Sequence, residues 1–262
     1  MKKYLLLLLC VLLISGFGCK KKVANVDQAV VIPEVNKEDL VKNVNFGYTT
    51  ATISEETEKY YLDIDYPVFS GENQEVVDVI NGNIKEKVDQ NVQQFRNDYA
   101  DTDHEYDPGP WFLGYDFYVK RNDEYFISVV LEGSIYTGGA HPNQMYETFV
   151  FNLEEGGAPM QLEDIFNTMA SVFDPDSGVK IGWLDYLATH AQLNLMGREY
   201  ADADWIISGA GPNSANFQRF YITNTDFVII FPPYQVASYA EGPMEVAFGF
   251  DDLADYLRAY AF

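Results

Sequence analysis

Six apolar residues, Ile80, Ile84, Val88, Val92, Phe95 and Tyr99, recur at steps of four, four, four, three and four. That spacing keeps one stripe toward a core for about five helical turns and predicts an amphipathic helix from about Glu75 to Tyr99. The charged Lys85, Glu86, Lys87 and Asp89 fall mostly on its other faces. Ahead of it the period drops to two. Phe46–Ile53 and Tyr60–Tyr66 are rich in β-branched and aromatic residues, Tyr60, Leu62, Ile64 and Tyr66 alternate, and the polar Ser54–Glu58 between the two runs predicts a hairpin. Pro67 is expected to end the second strand. A long helix that must cover its stripe beside strands points to an α+β fold.

After a loop at 101–110, punctuated by Pro108, Gly109 and Pro110, strands are expected at Trp111–Lys120, Tyr125–Glu132 and Met145–Asn152. Their short connections predict an antiparallel meander. Gln161–Phe166 reads as one helical turn, and a second helix is expected over Ile181–Leu195, with Leu184, Leu187, Ala191 and Leu195 on one face. Strands follow at Phe217–Ile222, Phe227–Phe231 and Met244–Phe248, and Asp251 or Asp252 is expected to cap a last helix carrying Leu253, Leu257 and Tyr260. The expected fold is α+β, an antiparallel meander sheet with a long amphipathic helix and further packed helices. It is expected in two closely associated parts, a small one at 40–110 and a larger one at 111–262.

The N-terminal end has another character. Met1-Lys2-Lys3 precede the apolar run Tyr4–Ile14, which leads to Ser15-Gly16-Phe17-Gly18-Cys19. A basic start, an apolar stretch too short to span a bilayer and a small residue before the cut mark residues 1–18 as a secretory signal peptide. The cysteine directly after Gly18 implies a lipoprotein, acylated on Cys19 and held to a membrane outside the cytoplasm, with residues 19–39 as a polar tether. Gly16 and Phe17 stand where such signals usually carry leucine and a small residue. Removing residues 1–18 leaves 15 basic against 40 acidic residues, a net charge of about −25 compared with −23 for the whole chain. So negative a field argues against nucleic acid and favours a cationic partner. Cys10 and Cys19 are the only cysteines, so the folded part has no disulfide, thiolate metal site or cysteine nucleophile.

Chemistry concentrates in two segments. In Ser134-Ile-Tyr-Thr-Gly-Gly-Ala-His-Pro-Asn143, Gly138 and Gly139 permit positive φ, and Pro142 forces His141 to be extended. His141 is then either a ligand or general base on a rigid turn, or a structural group satisfying buried backbone. His104 and His190 lie far off with no ligand spacing, and no metal or cofactor is expected. Asp101, Asp103, Glu105 and Asp107 alternate as in a calcium loop but lack the glycine and terminal acid of an EF-hand, which fits a solvated loop. In the second segment, Phe231–Pro243, Tyr234 and Tyr239 sit in a Pro/Gly-punctuated loop suited to protein or sugar contacts. The chain has no nucleophile elbow, P-loop, HExxH or GxGxxG motif.

The ordered motifs Tyr136-Thr-Gly-Gly-Ala-His-Pro-Asn143, Phe149-Val-Phe-Asn152, Leu162-Glu-Asp-Ile-Phe166, Val228–Pro243 and Phe250-Asp-Asp-Leu253 resemble the extracellular domain family of the lysozyme-sensing anti-sigma factor RsiV. A similar domain precedes the catalytic module of the peptidoglycan deacetylase PdaC. Ile64-Asp-Tyr-Pro67 and the helix from near Val77 resemble the smaller companion domain, so the likeness covers about residues 45–262. Pro142 departs from the family, which more often has glycine there. Only Met1-Lys2-Lys3 precede the apolar run, and no catalytic module follows Phe262, so the resemblance implies the binding module alone on a lipid anchor. The expected function is non-enzymatic recognition of a lysozyme-like protein or a peptidoglycan fragment in the cell envelope. The alternative is a wall glycan or peptide hydrolase with His141 as base. The expected ligand-binding residues are Tyr136, Thr137, Gly138, Gly139, His141, Asn143, Tyr234 and Tyr239, on two loops that form one patch, with Tyr234 and Tyr239 as its aromatic anchors.

Overall fold

The computed structural model describes residues 46–103, 109–173, 178–199 and 201–259. The expected signal peptide, Cys19, the tether, His104, Glu105, Asp107 and Tyr260 lie outside them. Strands β1 (Gly47–Glu56) and β2 (Tyr60–Ser70) form the hairpin, with Ile53 opposite Ile64. Helix α1 (Gln74–Asp101) buries Ile80, Ile84, Val88, Val92 and Phe95 of the expected stripe and half-buries its last member, Tyr99, and the Asn73 side chain caps it at the nitrogen of Val76. Strand β3 (Trp111–Asn122) then lies parallel to β2, Tyr60–Ile64 against Trp111–Tyr115. A parallel pair needs a long crossover, and α1 supplies it. With β4 (Phe126–Tyr136), β5 (Asn143–Asn152) and the two-residue β6 (Ala158–Pro159), the strands make one six-stranded sheet in chain order.

Two expectations change here. The division expected at 110/111 falls between two hydrogen-bonded neighbours, β2 and β3, so both expected parts share one sheet. Pro67 does not end β2, which continues to Ser70 with Pro67 opposite Thr50. The reason is positional. The N–H and C=O of Phe69 turn away from β1 to the side chain of Asn81 on α1, at 2.7 and 2.9 Å. Pro67 has the same parity, so its missing N–H points to that side, beyond the reach of β3, whose pairing stops at Ile64.

Strand β4 is buried through six consecutive residues because both its faces are covered. Ile127, Val129 and Leu131 join the core beneath α1, whereas Phe126 and Val130 face a second layer. That layer comprises α2 (Leu162–Ile165), the hairpin β7 (Ser171–Phe173) and β8 (Lys180–Gly182), α3 (Trp183–Met196) and α4 (Ala203–Gly209). It closes with β9 (Phe220–Ile222), β10 (Asp226–Phe231) and β11 (Met244–Gly249), ordered β11-β10-β9, and α5 (Phe250–Leu253). The free side of β9 is satisfied by the large sheet: the nitrogens of Ile222 and Phe220 donate to Ser128 Oγ at 3.1 Å and Thr148 Oγ1 at 3.3 Å. A fully buried serine amid apolar neighbours is thereby explained.

The strand expected from Phe217 starts at Phe220, because Ser214–Phe217 is a 3₁₀ turn capped by Asn213. Gly249, not Asp251 or Asp252, occupies the N-cap of α5, and both acids lie in its first turn beside the positive helix end.

Candidate functional site

The β4–β5 connection and the β10–β11 connection meet. Gly138 and Gly139 take φ of 88° and 105°, the left-handed conformations that the turn needs and that side chains disfavour. At the end of β4, the Tyr136 hydroxyl donates to Gly139 O at 2.9 Å and closes the turn. Thr137 is half-buried at its start, and Asn143 opens β5 opposite Ile135, on the sheet side of the turn.

His141 forms a three-ring cluster with the two tyrosines of the other loop, which are themselves 5.6 Å apart. Its ring stacks on Tyr239 with centroids 3.9 Å apart, and Tyr234 is stacked further out at 6.4 Å. Pro142 O accepts from Tyr239 Oη at 2.7 Å and, at 2.9 Å, from His141 Nδ1, since a carbonyl can only accept. That tautomer leaves Nε2 as acceptor for the Tyr234 hydroxyl at 3.3 Å. Both ring nitrogens are thus engaged, one with backbone and one with a phenol. None of the bonds His141 makes among the described residues goes to a carboxylate of the kind that orients the imidazole in a catalytic triad. Nor, among those residues, is any group of three or more His, Cys, Asp or Glu placed to hold a metal ion.

Tyr234 is 52 % exposed and has a φ of 71°. Positive φ in a bulky residue costs on the order of 1–2 kcal/mol and persists only where neighbours impose it. Here its nitrogen donates to Ala237 O at 3.1 Å, and its carbonyl accepts from Trp205 Nε1 at 2.8 Å. Trp205 belongs to α4, which the sequence reading missed, as it missed the supporting Gly209 and Gln235. Asp202, which caps α4 at the nitrogen of Trp205, was the available signal, but seven residues are too few to display a helical period. Both expected anchors reach the other loop, Tyr239 at Pro142 O and the more exposed Tyr234 at His141 Nε2.

These features define an α+β protein whose long-helix sheet carries a second α/β layer and a rigid two-loop aromatic patch. Crystal structures of DUF3298 family proteins have this fold: one from Bacteroides fragilis NCTC 9343 aligns with a TM-score of 0.56 at 18 % identity over 82 % of this chain and 94 % of its own. Another, from Pseudomonas aeruginosa PAO1, gives 0.53 at 11 % identity over 82 % and 95 %. In sequence, residues 53–144 match the family described as Deacetylase PdaC, and residues 171–251 match Protein of unknown function (DUF3298). The chain is therefore similar to a PdaC-type segment over its first part and to a DUF3298 domain over its second, in agreement with the resemblance read from its motifs. Peptidoglycan-N-acetylmuramic acid deacetylase PdaC of Bacillus subtilis strain 168 is 24 % identical over 208 residues. That match takes in 79 % of this chain and 41 % of the length of the relative.

Proposed function

We propose that this protein is a binding protein of the cell envelope, anchored by lipid on Cys19, whose two-loop patch recognises a wall-related macromolecule. The first candidate is a cationic lysozyme-like protein and the second a peptidoglycan fragment. The observation that carries the reading is the pairing of Tyr234 and Tyr239 with His141 across two loops that are far apart in sequence. A pre-ordered aromatic patch with little side-chain entropy left to lose is suited to recognition. The excess of acidic residues, 40 against 17 Lys and Arg in the whole chain, complements a basic partner and would speed encounter at low salt. The name of the Bacillus subtilis relative supports a wall-related role outside the cytoplasm.

The test is calorimetric titration of the ectodomain with lysozyme and with soluble muropeptides. The informative variant is Tyr234→Gly, because it separates the ring from the strain. Glycine accepts the backbone conformation freely, so stability should hold or rise by about 1 kcal/mol. Affinity should fall by about 2 kcal/mol, roughly thirty-fold. Unchanged affinity would make Tyr234 a bystander, and silence with both ligands would remove the proposed function.

A further inference from the structure

Beside the loop patch, the outer face of the large sheet emerges from under the second layer and forms a nine-position grid. Register fixes it. Tyr61 pairs with Phe112 and Phe112 with Tyr136, so three rings stand in one row across β2, β3 and β4. Tyr61 and Phe112 stack at 5.2 Å, and Phe112 and Tyr136 at 6.0 Å. Two residues along each strand, Asp63, Gly114 and Ser134 make the second row, and a further two along, Asp65, Asp116 and Glu132 make the third. Gly114 places no side chain in the middle of the grid, which leaves an open cleft of about 280 Å³ between an aromatic wall and an acidic one.

Three properties restrict what fits. The volume lies at the small end of ligand sites, enough for a sugar unit or two and not for a protein element. The aromatic wall offers rigid apolar surface of the kind that packs against the C–H face of a pyranose. Carboxylates accept hydrogen bonds and cannot donate, so the ligand must bring donors. The ion pairs Lys85–Asp89, Lys87–Glu147, Arg96–Glu55 and Arg121–Asp123 involve none of the carboxylates of the cleft. Hydroxyls bond two of them: Thr52 Oγ1 donates to Asp65 at 2.6 Å and the Tyr146 hydroxyl to Glu132 at 3.3 Å. Burial, followed by the charge of Glu132, pushes the Tyr146 hydroxyl well above its ordinary pKa and keeps it a donor. A phosphate or carboxylate ligand would be repelled, while an ammonium group beside a ring of hydroxyls meets both walls.

We infer that this cleft binds an amino sugar carrying a free ammonium group, its pyranose against Phe112 and its nitrogen toward Asp116 and Glu132. The inference does not rest on the proposed function, because neither Tyr234 nor Tyr239 lines the cleft, although Tyr136 borders both surfaces. Titration of the ectodomain with the glucosamine trisaccharide and with the N-acetylglucosamine trisaccharide tests it. The free-amine trisaccharide is expected to bind about tenfold or more tightly than the acetylated one, and less tightly as salt rises. Phe112→Ala and the pair Asp116→Asn with Glu132→Gln should each weaken it about tenfold or more, while Tyr234→Gly leaves it unchanged. Phe112→Leu, which keeps apolar volume, guards against a folding defect: in a variant melting like the parent it should still lose most of the affinity. Equal binding of the two trisaccharides, no binding of either, or full affinity in Phe112→Leu would overturn the inference. A loss confined to lysozyme binding would overturn it as well, by making the cleft part of a protein interface.

Discussion

Phe227→Ala is expected to lower the stability of the folded part by about 3–5 kcal/mol, a large share of the roughly 5–15 kcal/mol that holds a domain together. Phe227 is fully buried on β10, edge-on to Phe166 at 5.2 Å and beside Phe220 at 5.3 Å and Phe248 at 6.3 Å. Those three rings come from the segment after α2, from β9 and from β11, so the cavity would open where the parts of the second layer converge. Neighbours fixed by their own strands cannot collapse into it, which puts the cost at the upper end of such truncations. Denaturant titration measures it as a fall in midpoint at constant slope. Phe227→Leu should cost much less, about 1.5 kcal/mol or under, because most of the volume remains. A loss below about 1 kcal/mol for the alanine would mean that the layer repacks freely.

Gly209→Ala is expected to be almost as costly, for the opposite reason. A Cβ at Gly209 would lie 1.8 Å from Gln235 O and 2.7 Å from Gln235 C, both backbone atoms. No rotamer relieves that contact, so either α4 or the β10–β11 loop must shift. Gln235 also clamps this junction, its Nε2 donating to Gly209 O at 2.9 Å and Asn216 O at 2.8 Å. Overpacking of this kind costs about 1–3 kcal/mol, and a backbone clash belongs at the top of that range. Because Gln235 follows Tyr234, the same methyl should displace the projecting tyrosine. Lysozyme titration of a variant that is still folded should therefore show weakened binding, although residue 209 contacts no ligand in the proposed mode. Wild-type affinity with reduced stability would show that α4 yields and the loop does not.

How far these features were legible in the sequence depends on the range of the interaction behind each. The stripe of α1 and the alternation in β2 are local periodicities, and both elements appear where they were expected. The parallel joint of β2 to β3 was not legible, because no local pattern says which strand lies beside which once a long helix intervenes. Pro67 misled for a related reason: its effect depends on whether a neighbour needs its N–H, and that is a property of the sheet. At the site, the glycine turn and the Pro/Tyr loop were visible as composition, and the structure brings His141, Tyr234 and Tyr239 together. The left-handed backbone of Tyr234 was invisible, since nothing in an aromatic residue announces it. So was the wall of Tyr61, Phe112 and Tyr136, which exists only once the register of three strands is set.

The two-sided burial of β4 bears on how the protein can be dissected. The stretch matching the PdaC family ends at residue 144, just inside β5, while β4 needs both β5 beside it and β9 beneath it. A fragment cut there would present Phe126 and Val130 to water on a sheet face with unpaired edge amides, a surface prone to self-association. The complementary fragment would keep Thr148 but lose the Ser128 oxygen that satisfies the nitrogen of Ile222 on β9. The two family segments are therefore separable in sequence but not in solution, and any exchange of one between proteins must carry a matching partner face with it.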